Sequence, residues 1–342
     1  MRMALSRFQL TVRRFGHLAL TALLAVGPAT GALAAGKTEK VILGSGLGPP
    51  YIWYMTAVDK GIMKKNGVNA EYKIFPSGVE AIIAVGAGEA HVSNGSCSTV
   101  MRARANGSKL LVVARNIVNP YEHKLIALAD IKKPEDLKGK KVAMLTGSST
   151  DWYASKYLKA FGLKQGTDAD SVNLVSIAAP EWVPALERKD VAAFFGWEPW
   201  VTRATQIVSG AHVLHTGGDN GLFILMNCLV FNEDWVKNDP ESAIATMKGL
   251  IEAHDVVQAN QKAAVELAAP KMRVPVDDLL HQVSCCTFKI DYTPDFVAHA
   301  TEAAEWAQSK GMLKQDNAKT ILGQVMDPDV LKKAAPDRVT VH

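Results

Sequence analysis

The sequence predicts an α/β protein whose mixed, mostly parallel sheets carry helices on both faces. Two observations support this. Short apolar runs of strand length alternate with stretches whose apolar residues recur at helical spacing. At three places a strand-like run is followed by Gly, Ser or Thr at a helix start: Ser77-Gly78, Gly95-Ser96 and Gly147-Ser148-Ser149-Thr150. In open α/β sheets such ends line the ligand crevice.

The first segment is read as an address label. Arg2, Arg7, Arg13 and Arg14 precede any acid, and the apolar run Leu18 to Val26 leads to Ala32-Leu33-Ala34. That order predicts a secretory signal peptide over 1–34 and a periplasmic location. Arg13-Arg14-Phe15 leaves Sec and twin-arginine export both open. These four arginines account for the whole formal charge of +4. The remaining chain is near neutral, which argues against nucleic acid as a partner. Gly31 to Lys37-Thr38 matches a phosphate-loop pattern letter for letter, but it straddles the cleavage site and a strand follows where a helix is required.

Val41 to Pro50 reads as a strand ending in a Gly/Pro loop. The third glycine of a dinucleotide fingerprint would fall on Pro49, so that motif is absent. Tyr51, Trp53 and Tyr54 open a helix. A strand at Ala70 to Phe75, a helix after Ser77-Gly78, a short strand at His91 to Asn94 and a helix after Gly95-Ser96 follow. Leu110 to Ala114 and Lys124 to Ala129 are strands. Val142 to Leu145 leads into the Gly147 turn, where unpaired helix N–H groups and the hydroxyls of Ser148, Ser149 and Thr150 make a seat for an anion or polar oxygen. A plain N-cap is the competing reading there. Strands at Val172 to Ile177, Asp190 to Phe195 and Val213 to Thr216 come next, then the apolar run Leu222 to Phe231. From Asp234 onward the chain reads as largely helical.

The four cysteines, Cys97, Cys228, Cys285 and Cys286, have no metal-type spacing, so no metal or cofactor is expected. A disulfide is open to them in an oxidising compartment. A bridge between adjacent Cys285 and Cys286 would be strained. No nucleophile elbow, zinc-protease motif or Ser-His-Asp order appears.

From about residue 40 onward, the order of features resembles the periplasmic binding proteins of ABC importers, in the nitrate, sulfonate, taurine and thiamine-precursor group. Four segments carry the likeness: Val41–Tyr54; Phe75-Pro-Ser-Gly78 with Ala87 to Gly95; Asp136 to Ala143 with Gly147-Ser-Ser149; and Trp197-Glu-Pro-Trp200. The resemblance implies a type II two-lobed fold with the ligand cleft between the lobes. One lobe would comprise 37–126 plus 227–342 and the other 127–226, with crossover strands near Lys124–Ala129 and Leu222–Phe231. It implies a monomer that delivers a small organic anion to an inner-membrane permease, sulfonate- or taurine-like, with an aromatic ligand open should several of the aromatic residues face the cleft. The alternative is a thiamine-precursor pyrimidine binder or enzyme, for which Cys285-Cys286-Thr287-Phe288 is a faint echo.

The expected ligand contacts are Tyr51, Trp53, Ser77, Gly78, Gly95, Ser96, Gly147, Ser148, Ser149, Trp152, Trp197 and Glu198. Trp182 and Trp200 fall in the same region, and core packing is the competing reading for the aromatics. Arg115 and His123 are the other charged candidates. Arg115 could meet a sulfonate bidentately or simply end a strand. Glu198 could bind an amine or hold a backbone turn.

Overall fold

The structure, a computed structural model, describes residues 39–314 and 316–341. The predicted leader and the phosphate-loop match lie outside them. No helix among the described residues is long and apolar enough to cross a membrane.

The chain runs β1 (Val41–Ser45), α1 (Ile52–Asp59), α2 (Ile62–Lys65), β2 (Ala70–Ile74), α3 (Gly78–Gly86), β3 (Val92–Ser96), α4 (Cys97–Ala105) and β4 (Leu110–Asn119). It then crosses to β5 (Lys124–Ala127), β6 (Lys141–Met144), α5 (Ser149–Ala160), β7 (Lys164–Gln165), β8 (Ser171–Ser176), α6 (Trp182–Glu187), β9 (Ala193–Gly196), α7 (Trp200–Ile207) and β10 (His212–Thr216). It returns through β11 (Leu225–Asn232) to α8 (Glu233–Asn238), α9 (Pro240–Ala259), α10 (Gln261–Met272), α11 (Val276–Ser284), β12 (Thr287–Asp291), α12 (Pro294–Ser309), α13 (Ala318–Val325) and α14 (Asp329–Ala334).

Two six-stranded sheets result, ordered β12-β4-β11-β3-β1-β2 and β10-β5-β9-β6-β8-β7. The α/β class stands, but the sheets are more evenly mixed than expected: five of the ten neighbouring pairs are parallel. The antiparallel pairs all involve β5, β11 or β12, strands that enter their sheets from a crossover or from the C-terminal helices. β12 was not anticipated; its five residues, Thr-Phe-Lys-Ile-Asp, sit inside a stretch that otherwise reads as helix.

The central strands β5 and β9 of the second sheet show why they are apolar on both sides. Leu125, Ala127 and Phe195 join the large core shared with Tyr153 and Tyr157 of α5. Their sequence neighbours Ile126 and Phe194 point the other way, into a smaller core with Trp182, Leu186 and Val201. Side chains alternate faces along a strand, so helices on both faces require apolar residues at successive positions of these central strands. Burying one Leu or Phe completely contributes about 1.5–3 kcal/mol.

The chain passes between the sheets twice, at 120–123 and 217–224. The boundary expected at 126/127 falls inside β5, which belongs wholly to the second sheet, and β11 belongs to the first. The crossovers touch: the Gly217 N–H donates to His123 O at 2.8 Å. A Cβ at Gly218 would lie 2.6 Å from Pro120 O, so only glycine allows that approach.

Cys97, the first residue of α4, is bonded to Cys228 of β11, with Cα atoms 5.4 Å apart. Cys286 is buried and Cys285 half-buried; both are free thiols.

Candidate functional site

Three helices begin at one cavity, and each begins with a serine cap. Ser77 accepts from the Val79 N–H at the start of α3, Ser96 from Thr99 N–H in α4, and Ser148 from Thr150 N–H in α5. Each cap satisfies one of the N–H groups that the first turn leaves open. Around these ends lies a cavity with about 410 Å³ of empty space, solvent at its open mouth included.

Of the expected contacts, Tyr51, Gly78, Gly95, Ser96, Ser148, Ser149 and Trp197 line this cavity. Tyr51 comes from the turn after β1, and its hydroxyl donates to Asn94 O at 3.0 Å. A Cβ at Gly78 would collide with that hydroxyl, which is why glycine opens α3. Ser148 is committed to the backbone, since it also donates to Leu145 O at 2.7 Å. Ser149 is not a cap; its hydroxyl meets His123 Nε2 at 2.8 Å across the crossover. Trp197 packs edge-on against Trp182, with ring centres 4.7 Å apart.

The other five expected contacts do not line the cavity. Trp53 is core: it stacks on Tyr54 and donates to Pro50 O. Trp152 is buried against Phe223 and Trp306. Helical periodicity marks these rings as facing inward but does not reveal which surface covers them. Ser77 bonds Glu80 and caps α3 from behind the cavity wall. Gly147 lies under the Arg102 side chain and shapes the turn, with φ +74°; its N–H donates to Asp151 at 2.9 Å. Glu198 accepts from Lys124 Nζ at 2.6 Å and from the Thr202 N–H in α7, so it holds a backbone turn. Trp182 and Trp200 belong to the smaller core and its rim. Arg115 is spent on Asp291, through two 2.9 Å bonds, and on Asp295.

Sequence reading missed Pro50, Val79, Thr99, Glu122, Leu225 and Asn227, all of which line the cavity with His123. No Lys or Arg is among the described residues that line it. Burial pushes the Glu122 carboxyl up to about 8; the Glu198 charge adds to this, and Lys124 opposes it. Burial pushes His123 down to about 3, helped by Lys124, so the ring is neutral. Burial, with Glu122 and Glu80, also raises the Tyr51 hydroxyl far above its usual range. At neutral pH the wall is therefore lined by uncharged hydrogen-bonding groups and by helix ends carrying partial positive charge.

The model of the NMT1-like family matches residues 37–270. The chain belongs to the NMT1-like family. It is 26% identical over 224 residues to a binding protein of Brucella abortus, covering 64% of this chain and 66% of that one. It is 25% identical over 207 residues to the taurine-binding periplasmic protein of Escherichia coli, covering 59% and 62%. The chain thus spans just under two thirds of the length of these curated relatives. Its fold matches the periplasmic aliphatic sulphonate binding protein SsuA of Escherichia coli with a TM-score of 0.68 at 19% identity, covering 85% of this chain and 93% of that one. The NMT1-like chain described here therefore has the periplasmic-binding-protein fold.

Proposed function

We propose that this chain is the extracytoplasmic solute-binding component of an ABC importer and captures a small organic anion of the sulfonate or taurine type. One observation carries the reading: three capped helix N-termini converge on a single cavity with no Lys or Arg among the described residues of its wall. Such ends offer oriented N–H donors to an anion without a full opposing charge. A ligand held this way can still be released to a permease. Family membership and the taurine- and sulfonate-binding relatives support the ligand class. The Cys97–Cys228 bridge supports an oxidising compartment, in keeping with export and removal of the leader near Ala34. The two sheets and their flanking helices would form the two lobes, with the crossovers as hinges.

Only Tyr51 and Trp197 of the expected aromatics reach the cavity, so a compact ligand fits better than a large ring. Cys285 and Cys286 do not line it, and the pyrimidine reading gains no support there. Ser149 and His123 form a hydroxyl–imidazole pair, but His123 Nδ1 has no orienting partner among the described residues and the ring is far too weak a base for general-base work at neutral pH. That favours binding over catalysis. Calorimetry of the mature protein with ethanesulfonate, taurine and nitrate tests the proposal; saturable binding of at least one is expected, and no heat from any of them would overturn it.

A further inference from the structure

Glu122 lies in the β4–β5 crossover, and it lines both the capture cavity and a neighbouring one beside Lys124, Glu198 and Gln282. It is 5% exposed. The Asn119 carboxamide reaches it only at 3.4 Å. The adjacent cation, Lys124, gives its ammonium to Glu198 instead. The other titratable groups facing it are Tyr51 from the turn after β1, neutral His123 beside it, Glu198 after β9, and His281, Cys285 and Cys286 at the end of α11. Among the described residues none forms an ion pair with Glu122. An ionised carboxylate here would be desolvated with no ion-pair partner and with only the long Asn119 contact to offset it, and it would repel an anion seated on the helix ends.

We propose that Glu122 enters the capture cavity as a neutral carboxylic acid and donates its O–H to an oxygen of the bound anion, so that the anion is captured only by the protonated site. This rests on the anion-binding reading above. Tyr51 donates to Asn94, Ser148 to Leu145, and Ser149 shares its hydroxyl with His123. A carboxylic O–H adds a donor in a wall that otherwise has few uncommitted ones. Burial holds this group in its protonated form up to about pH 8. Affinity for an anion is then flat up to about pH 7 and falls about tenfold between pH 7 and pH 9, because the acid must be reprotonated for each ligand bound.

Ethanesulfonate is the suitable probe, since its own charge is constant over this range. Calorimetry at pH 6, 7 and 9, in buffers of different ionisation enthalpy, should show the tenfold loss and an uptake approaching one proton per ligand at pH 9. Glu122→Gln, which is neutral at every pH, should abolish that pH dependence. Glu122→Ala should weaken binding at pH 7 by about tenfold, the loss of one hydrogen bond to a charged group. A purely structural Glu122 would leave the pH profile of Glu122→Gln like that of the parent. Carbon-13 titration of the Glu122 carboxyl in the ligand-free protein, assigned with Glu122→Gln, should have its midpoint near the same pH. Ethanesulfonate binding with an ordinary carboxylate midpoint, or with affinity unchanged to pH 9, overturns this inference alone. No binding of ethanesulfonate even at pH 6 overturns the anion reading and this inference with it.

Discussion

Two adjacent serines at the start of α5 should respond in opposite ways to loss of the hydroxyl. Ser148 accepts from the Thr150 N–H and donates to Leu145 O, so its side chain serves the backbone. Ser148→Ala should cost about 1–2 kcal/mol of stability, as loss of a cap does. That is a fall of about 1.5–2 °C per kcal/mol in melting temperature for a chain of this length, while ligand affinity should stay within about threefold, because the helix end itself remains. Ser149 lines the cavity and meets His123. A hydrogen bond from its hydroxyl to a charged oxygen is worth about 1.5–3 kcal/mol, so Ser149→Ala should raise the Kd about ten- to a hundredfold. It should also cost some stability, since His123 Nε2 loses its partner in a buried place. Calorimetry with the ligand that binds tightest, paired with thermal melts of both variants, reads the two effects separately. If Ser149→Ala binds within threefold of the parent while Ser148→Ala loses affinity, the assignment of cap and contact is wrong.

Four further outcomes are expected. Replacing both Cys97 and Cys228 with Ala opens a loop closed over 131 residues and should lower unfolding stability by about 4–5 kcal/mol in denaturant titrations; a loss below about 1 kcal/mol would count against the bridge. Arg115→Leu should cost about 3 kcal/mol or more by stranding buried Asp291, yet leave the Kd unchanged, because Arg115 does not line the cavity; a large affinity loss would return it to the site. Burial lowers His123 and His254 to about 3 and His299 to about 4, so their contribution is full above the ordinary histidine value and is lost as pH falls from about 6.5. Glu122 is raised, so its contribution is lost as pH rises toward 8; denaturant melts across pH should therefore peak near pH 6.5, with a slope of up to about 1.4 kcal/mol per pH unit for each group, and a monotonic rise to pH 9 would refute this. Small-angle scattering should show contraction on ligand binding as the two crossovers flex, and superimposable curves at saturation would refute hinge closure.

Much of this protein is determined locally and can be read from the residues alone. Val41–Ser45 or Lys141–Met144 forms a strand because its own apolar residues favour one. Ser77, Ser96 and Ser148 mark helix starts because a capping hydroxyl acts within three residues of itself. That is why three of the cavity's walls were legible in sequence. Which rings line the cavity was not, because Trp53, Trp152 and Trp197 all carry the same inward-facing signal, and only the packing of distant segments decides which are covered by core. Glu198 and Arg115 looked available for a ligand until Lys124, Asp291 and Asp295 were brought beside them, the aspartates from more than 170 residues away. Glu122 carries no local signal at all. Its protonation state depends on burial between two sheets and on Lys124 turning to Glu198, and desolvation is a property of what surrounds a group in space, which the order of residues along the chain does not reveal.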